Sequence, residues 1–227
     1  MHIVILIAAL LALIVGPGLW VKGVMARYSV PKNRYALTGG ELARQLLDHL
    51  GLHEVRTETT DKGDHYDPRD RVVRLSPEHF EGQSLTAVTV AAHEVGHAQQ
   101  HARGFRPLLW RTRLVVWVSP IEKLGAGLLL LAPFTVALTR VPFVGLLTFL
   151  GGFATLGAGT AVHALTLPTE FDASFGRALP LLRKLGVLHT GDEPRARRIL
   201  MAAALTYVSA SLMSLLNIAR WWAIIRR

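Results

Sequence analysis

The chain has 227 residues, no cysteine, and 25 Lys and Arg against 16 Asp and Glu, for a formal charge of +9. The missing cysteine excludes disulfides and thiolate-bound metals, so any zinc site must be built from nitrogen and oxygen ligands. With 51% hydrophobic and 18% charged residues and a mean hydropathy of +0.34, the composition is too apolar for an average soluble domain. The basic residues cluster at the ends of apolar runs with no interleaved aromatic surface, which excludes a nucleic-acid binder.

Ile3 to Trp20 is the first of four apolar runs about long enough to cross ~30 Å of hydrocarbon as a helix. The others are Pro120 to Leu138, Phe143 to Leu167 and Ile199 to Ala219. No basic segment precedes the first run and no small-x-small cleavage site follows it, so it reads as a retained anchor. Lys22, Arg27, Lys32 and Arg34 follow it, and Arg103 to Arg113 and Arg177 to Arg198 flank the later runs. This charge pattern assigns the long loops to the cytoplasm.

Thr38-Gly39-Gly40-Glu41 has the form of a capping box opening a helix with Leu42, Leu46, Leu47 and Leu50 inward, closed by Gly51. Two strands, His53 to Thr59 and Arg71 to Leu75, are expected around a polar loop rich in turn formers. Arg71 to Leu75 is the candidate edge for pairing with an extended peptide. Asp64, Asp67 and Asp70 in the loop lack calcium-loop spacing and read as a solvated turn. His65 and Tyr66 are candidate donors to an oxyanion.

His93-Glu94-Val95-Gly96-His97 follows, inside a helix capped by Ser84 and stopped at Gly104. Side chains four apart share a helix face, so His93 and His97 can offer ring nitrogens to one ion, while Glu94 is placed to act as general base on water. The pattern is His-Glu-x-x-His (HExxH), the signature of metal-assisted peptide hydrolysis. His101 lies about 12 Å from His93 along a straight helix and is out of reach of the same ion. Pro107 to Val118 reads as an interfacial helix, and Ser119-Pro120-Ile121-Glu122 as the start of the second span.

A catalytic zinc needs a third protein ligand. Glu170, in Pro168-Thr169-Glu170-Phe171-Asp172-Ala173-Ser174, is the first candidate, with Ser174 or Asp172 hydrogen-bonding a ligating imidazole. A carboxylate stabilising a first helical turn is the plain alternative, and His163 is the reserve ligand. Tyr207 reads as an aromatic anchor or an oxyanion donor.

These segments, with Asp64-His65-Tyr66-Asp67-Pro68-Arg69 and Val72-Val73-Arg74-Leu75-Ser76, resemble the YugP-type family of membrane zinc metallopeptidases over nearly the whole chain. More distantly the chain is similar to the HtpX-like and CAAX-prenyl-protease membrane gluzincins, whose third ligand is the Glu of a Glu-x-x-x-Asp motif. The resemblance implies zinc (Zn2+) on His93, His97 and Glu170 with Glu94 catalytic, and Ser174 stands in the Asp place.

The expected fold is mainly α and integral to the membrane, with about four transmembrane helices and a small α+β zincin-like cytoplasmic catalytic region. The expected organisation is an anchor at 1–24, a catalytic region at 25–106, an interfacial helix and two spans at 107–167, a cytoplasmic segment with the third ligand at 168–198, and a last span at 199–227. The expected function is a zinc endopeptidase of a prokaryotic plasma membrane, multi-pass, cutting membrane or membrane-proximal polypeptides on the cytoplasmic side beside the lipid bilayer. A catalytically inactive metal-binding scaffold or zinc-handling protein is the alternative.

Overall fold

The computed structural model describes residues 2–206, some of them within helices as backbone only. The chain divides into two compact units. The first holds residues 2–18 and 110–166 of the described chain, and the second residues 19–109 and 167–206.

The elements run α1 (His2–Tyr28), α2 (Gly39–His49), β1 (Arg56–Thr59), β2 (His65–Asp67), β3 (Val72–Leu75), α3 (Pro77–Phe80), α4 (Leu85–Ala102), α5 (Arg106–Thr139) and α6 (Pro142–Phe171). A π-helical segment, Asp172–Ala178, leads into α7 (Leu179–Lys184), and residues 193–206 form α8.

The fold is thus mainly helical with one three-stranded sheet. Among the described residues, no helix is long and apolar enough to cross a membrane. This corrects the expected integral-membrane fold with four spans and the multi-pass placement derived from it. The expectation treated apolar runs as separate elements, whereas α5 joins one of them to a charged segment. Arg106–Thr139 is one helix, passing Arg111, Arg113, Glu122 and Lys123, so neither an interfacial helix ending at Val118 nor a start at Ser119-Pro120 exists. The greater part of the fourth expected run, with Tyr207, lies outside the described residues. In the first unit several large apolar side chains are exposed, among them Leu124, Phe134, Leu138, Phe143 and Leu147.

The second unit is built on α4. Ser84 caps it by accepting from the Ala87 N–H at 3.1 Å, and Gly104 ends it at φ +64°, where a side chain would be strained. The reciprocal capping box at Thr38 and Glu41 opens α2, and Gly51 follows it at φ +71°. Leu42, Leu46 and Leu47 of α2, Val88, Ala91, Ala92 and Val95 of α4, Leu179 and Leu182 of α7, and Ile199 and Leu200 of α8 share one core. Each large aliphatic side chain buried there contributes about 1.5–3 kcal/mol.

The strand order is β1-β3-β2. β1 pairs with β3 in parallel, Arg56 opposite Val72, and β2 pairs with β3 antiparallel, His65 opposite Arg74. Arg71 to Leu75 was expected at an edge, and this too is corrected. β3 is central, both its edges are hydrogen-bonded, and Arg71 sits before it at φ +52°. The missed partner is His65–Asp67, a strand within the polar loop. Val72, Val73 and Leu75 are all buried, as a strand covered on both faces demands.

The loop carboxylates are spent on structure. Asp67 accepts from Arg74 at 2.9 Å and from the backbone of Arg69, and Asp70 pairs with Arg74 at 2.6 Å. Asp64 accepts from the Ser76 N–H at 2.8 Å, the Ser76 hydroxyl at 3.0 Å and His79 Nδ1 at 2.7 Å. Burial lowers the His79 pKa, but Asp64 outweighs it and holds the ring above its ordinary value. Burial likewise raises Asp64, and the bonds from His79 and Ser76 outweigh it in the other direction. The stabilisation from raising His79 is fully present below about pH 6.5 and is lost as pH rises through the folded value; that from lowering Asp64 is present above about pH 3.9 and lost in acid. Thermal unfolding across pH should therefore show an alkaline loss that His79→Gln abolishes.

A second buried anchor is Asp192, which takes both Arg34 bonds at 2.7 Å, the Tyr35 hydroxyl at 2.7 Å and Arg195 at 2.9 Å. Burial, then Asp192 itself, pushes the Tyr35 hydroxyl up to about 12. Asp192→Ala leaves those donors without an acceptor and should cost roughly 3 kcal/mol in chemical denaturation.

Candidate metal centre

The second unit brings His93, His97 and Glu170 together. One possible ligand atom from each lies within 4.8 Å of the others, all three residues are buried, and they are the one such His, Cys, Asp or Glu group among the described residues. His93 and His97 stand one turn apart on α4, with ring centroids 4.8 Å apart and planes at 80°. Glu170 arrives at the end of α6, and its Oε2 lies 3.2 Å from His93 Nε2 and 3.3 Å from His97 Nε2.

The remaining hydrogen bonds fix both imidazole tautomers. The Ser174 hydroxyl is 3.1 Å from the Leu200 carbonyl, which can only accept, so its single proton goes there. Ser174 Oγ must then accept from His93 Nδ1, 3.0 Å away. For His97, Gln100 Nε2 donates to the Thr169 carbonyl and to Asp172 Oδ2, both at 2.8 Å. The amide is thereby oriented, and its Oε1 accepts from His97 Nδ1 at 2.9 Å. Both Nε2 atoms then face one Glu170 carboxylate oxygen, an arrangement that suits a shared cation, whether proton or metal.

Burial would raise the Glu170 carboxyl, but His97 and His93 outweigh it and hold it well below the usual carboxylate range. Three acceptors in a dry pocket repel one another unless positive charge lies among them. Tetrahedral zinc with bonds of about 2.0–2.2 Å sets its ligand atoms roughly 3.3 Å apart, which is the spacing of Glu170 Oε2 from each Nε2. The donor set, two nitrogens and one oxygen, suits that ion.

Local structure explains how segments far apart in sequence meet. Pro168 lies inside α6, and the chain passes from Glu170 and Phe171 into the π-helical segment. Such widened turns recur at functional sites because they re-aim side chains. Here the segment presses its backbone against α4 at Gly96, where an added Cβ would lie 2.7 Å from the Ala173 carbonyl oxygen.

Glu94 is buried on α4 between the two histidines. Of the other expected residues, Asp172 holds no imidazole directly: it accepts from Gln100 and from Arg177 at 2.6 Å. Tyr66 is committed to His101 Nδ1 at 2.8 Å, and the His65 ring bonds the Gly63 carbonyl at 2.8 Å. The His163 side chain and Tyr207 lie outside what is described. Sequence reading missed Gln100, whose only signal is its position three residues after His97. A partner of this kind typically accounts for about 10–100-fold in metal affinity. Gln100→Leu should weaken zinc binding by that factor in chelator competition, more than Gln100→Glu, which keeps an acceptor for His97.

The chain matches the family described as "Putative neutral zinc metallopeptidase" over residues 2–226. It is also 37% identical over 205 residues, covering 88% of this chain and 86% of the relative, to the "Putative membrane protease YugP" of Bacillus subtilis (strain 168). No solved structure matches it.

Proposed function

The chain belongs to this neutral zinc metallopeptidase family, and from that premise we propose that it is an endopeptidase whose zinc is held by His93, His97 and Glu170, with Glu94 as general base. The observation that carries the reading is the convergence of both Nε2 atoms on one Glu170 carboxylate oxygen at 3.2 and 3.3 Å. When bound, zinc supplies a Lewis acid and brings the pKa of water down to about 7.

The chain's own residues do the rest. Ser174 and Gln100 hold the imidazoles in register. Glu94 takes the proton from the attacking water as oxygen bonds to the scissile carbonyl carbon. It returns that proton to the nitrogen as the C–N bond breaks, giving a carboxylic acid and an amine. Residues 25–106 and 168–198 make up the catalytic region. The relative's printed name and the exposed apolar side chains of the first unit support polypeptides near a bilayer as substrates.

The test is zinc stoichiometry combined with cleavage of denatured protein substrates by the full chain. Wild type should carry about one zinc per chain and cut internal peptide bonds. His93→Ala, His97→Ala and Glu170→Ala should each lose both properties. Full zinc occupancy in all three variants would overturn the ligand assignment.

A further inference from the structure

We propose that His79 is a further catalytic residue, donating a hydrogen bond from Nε2 to the scissile carbonyl oxygen as that oxygen gains negative charge. The inference rests on the peptidase reading and adds to it the donor that the reaction needs on the side of the developing oxyanion. Preorganised donors of this kind contribute because they need no rearrangement as charge appears.

Four observations carry it. The ring is oriented, and as the imidazolium that Asp64 favours it keeps a second N–H at Nε2: Asp64 Oδ2 accepts from Nδ1 at 2.7 Å, and Asp64 is itself fixed by the Ser76 N–H and hydroxyl. The backbone is pinned, since the His79 N–H donates to the Ser76 carbonyl at 2.9 Å and its own carbonyl lies against Gly39, where an added Cβ would come within 2.2 Å. The ring is reachable, with 14% of its side chain exposed, and Nε2 has no hydrogen-bond partner among the described residues. Finally, α3 packs against α4, and the Glu94 charge acts on the His79 ring. A purely structural ion pair requires the Asp64 bond alone; it gives no reason for a donor that is held in place, partly exposed and within the field of the general base.

The electron count is simple. As water oxygen bonds to the carbonyl carbon, the C=O π pair moves onto oxygen, which accepts the His79 hydrogen bond without taking the proton. When the C–N bond breaks, the pair returns and the bond from His79 relaxes.

The experiment compares the full chain with His79→Gln, His79→Ala and Glu94→Gln, using a quenched peptide that wild type cleaves, an uncleavable ground-state analogue of it, and its phosphinate analogue. In both His79 variants zinc affinity and binding of the ground-state analogue should stay within about threefold of wild type. The value of kcat should fall by about 10²–10³ in His79→Ala, less in His79→Gln, and phosphinate affinity should fall with it. A kcat within about threefold of the parent in His79→Ala, with Glu94→Gln inactive, overturns the role of His79 alone. Zinc loss from both His79 variants makes the residue structural and also overturns it. If wild type cleaves nothing, or Glu94→Gln matches it, the peptidase reading falls and this inference with it.

Discussion

Glu94→Gln should retain about one zinc per chain and lose hydrolysis by at least about 10³-fold in kcat, the upper part of the range for a positioned general base. The substitution is nearly isosteric, and neither Nε2 depends on Glu94 for its tautomer, because Ser174 and Gln100 take the Nδ1 protons. Metal affinity should therefore stay near the parent value. What the amide lacks is basicity: it can neither remove the water proton nor carry it to the leaving nitrogen. Substrate binding should change little, so the loss falls on kcat and leaves KM within a few-fold. Zinc content by mass spectrometry, measured on the same samples as the rates, separates this outcome from loss of the centre. Retained activity in a fully zinc-loaded variant would remove Glu94 from the mechanism.

The parts of this molecule legible in its sequence are those governed by short-range chemistry. Thr38 with Glu41, Ser84 and Gly104 announce helix ends because caps are local devices, and each stands where its type requires. The spacing of His93 and His97 is likewise a property of one helix. Glu170 is the exception: nothing local brings it 73 residues back to His97, and it stood out through its Pro-Thr-Glu context and the family pattern. Long-range pairings were invisible. The strand His65–Asp67 hides among turn formers because its stability comes from β3 and from Arg74, which draws in Asp67 and Asp70. His79 looks like one more polar residue until Asp64, 15 positions earlier, is seen beside it. Apolar runs misled for a related reason: a hydropathy count cannot tell where a helix begins, and Arg106–Thr139 begins well before its apolar stretch.

Gly96→Ala tests whether backbone contact, and not side-chain chemistry alone, sets the metal site. The added Cβ would meet the Ala173 carbonyl oxygen at 2.7 Å and the Ala173 carbon atoms at 3.3 Å, and backbone cannot swing aside as a flexible side chain would. Relief requires the π-helical segment to move off α4, and Ala173 lies between Glu170, which faces both imidazoles, and Ser174, which holds His93. Overpacking of this kind costs typically 1–3 kcal/mol, and a shift of about 1 Å at a catalytic constellation can cost about 10²-fold in rate. Zinc affinity should fall by about 10–100-fold, since Glu170 and the Ser174 support are displaced together. The control is Gly104→Ala, at φ +64° with no atom within 4 Å of the added carbon. Left-handed strain there should cost stability, roughly 1 kcal/mol, with zinc affinity unchanged. If both variants weaken zinc equally, the effect is general destabilisation; if Gly96→Ala binds zinc like the parent, the π-helical segment has slack and the close approach at Gly96 does not hold the third ligand in place.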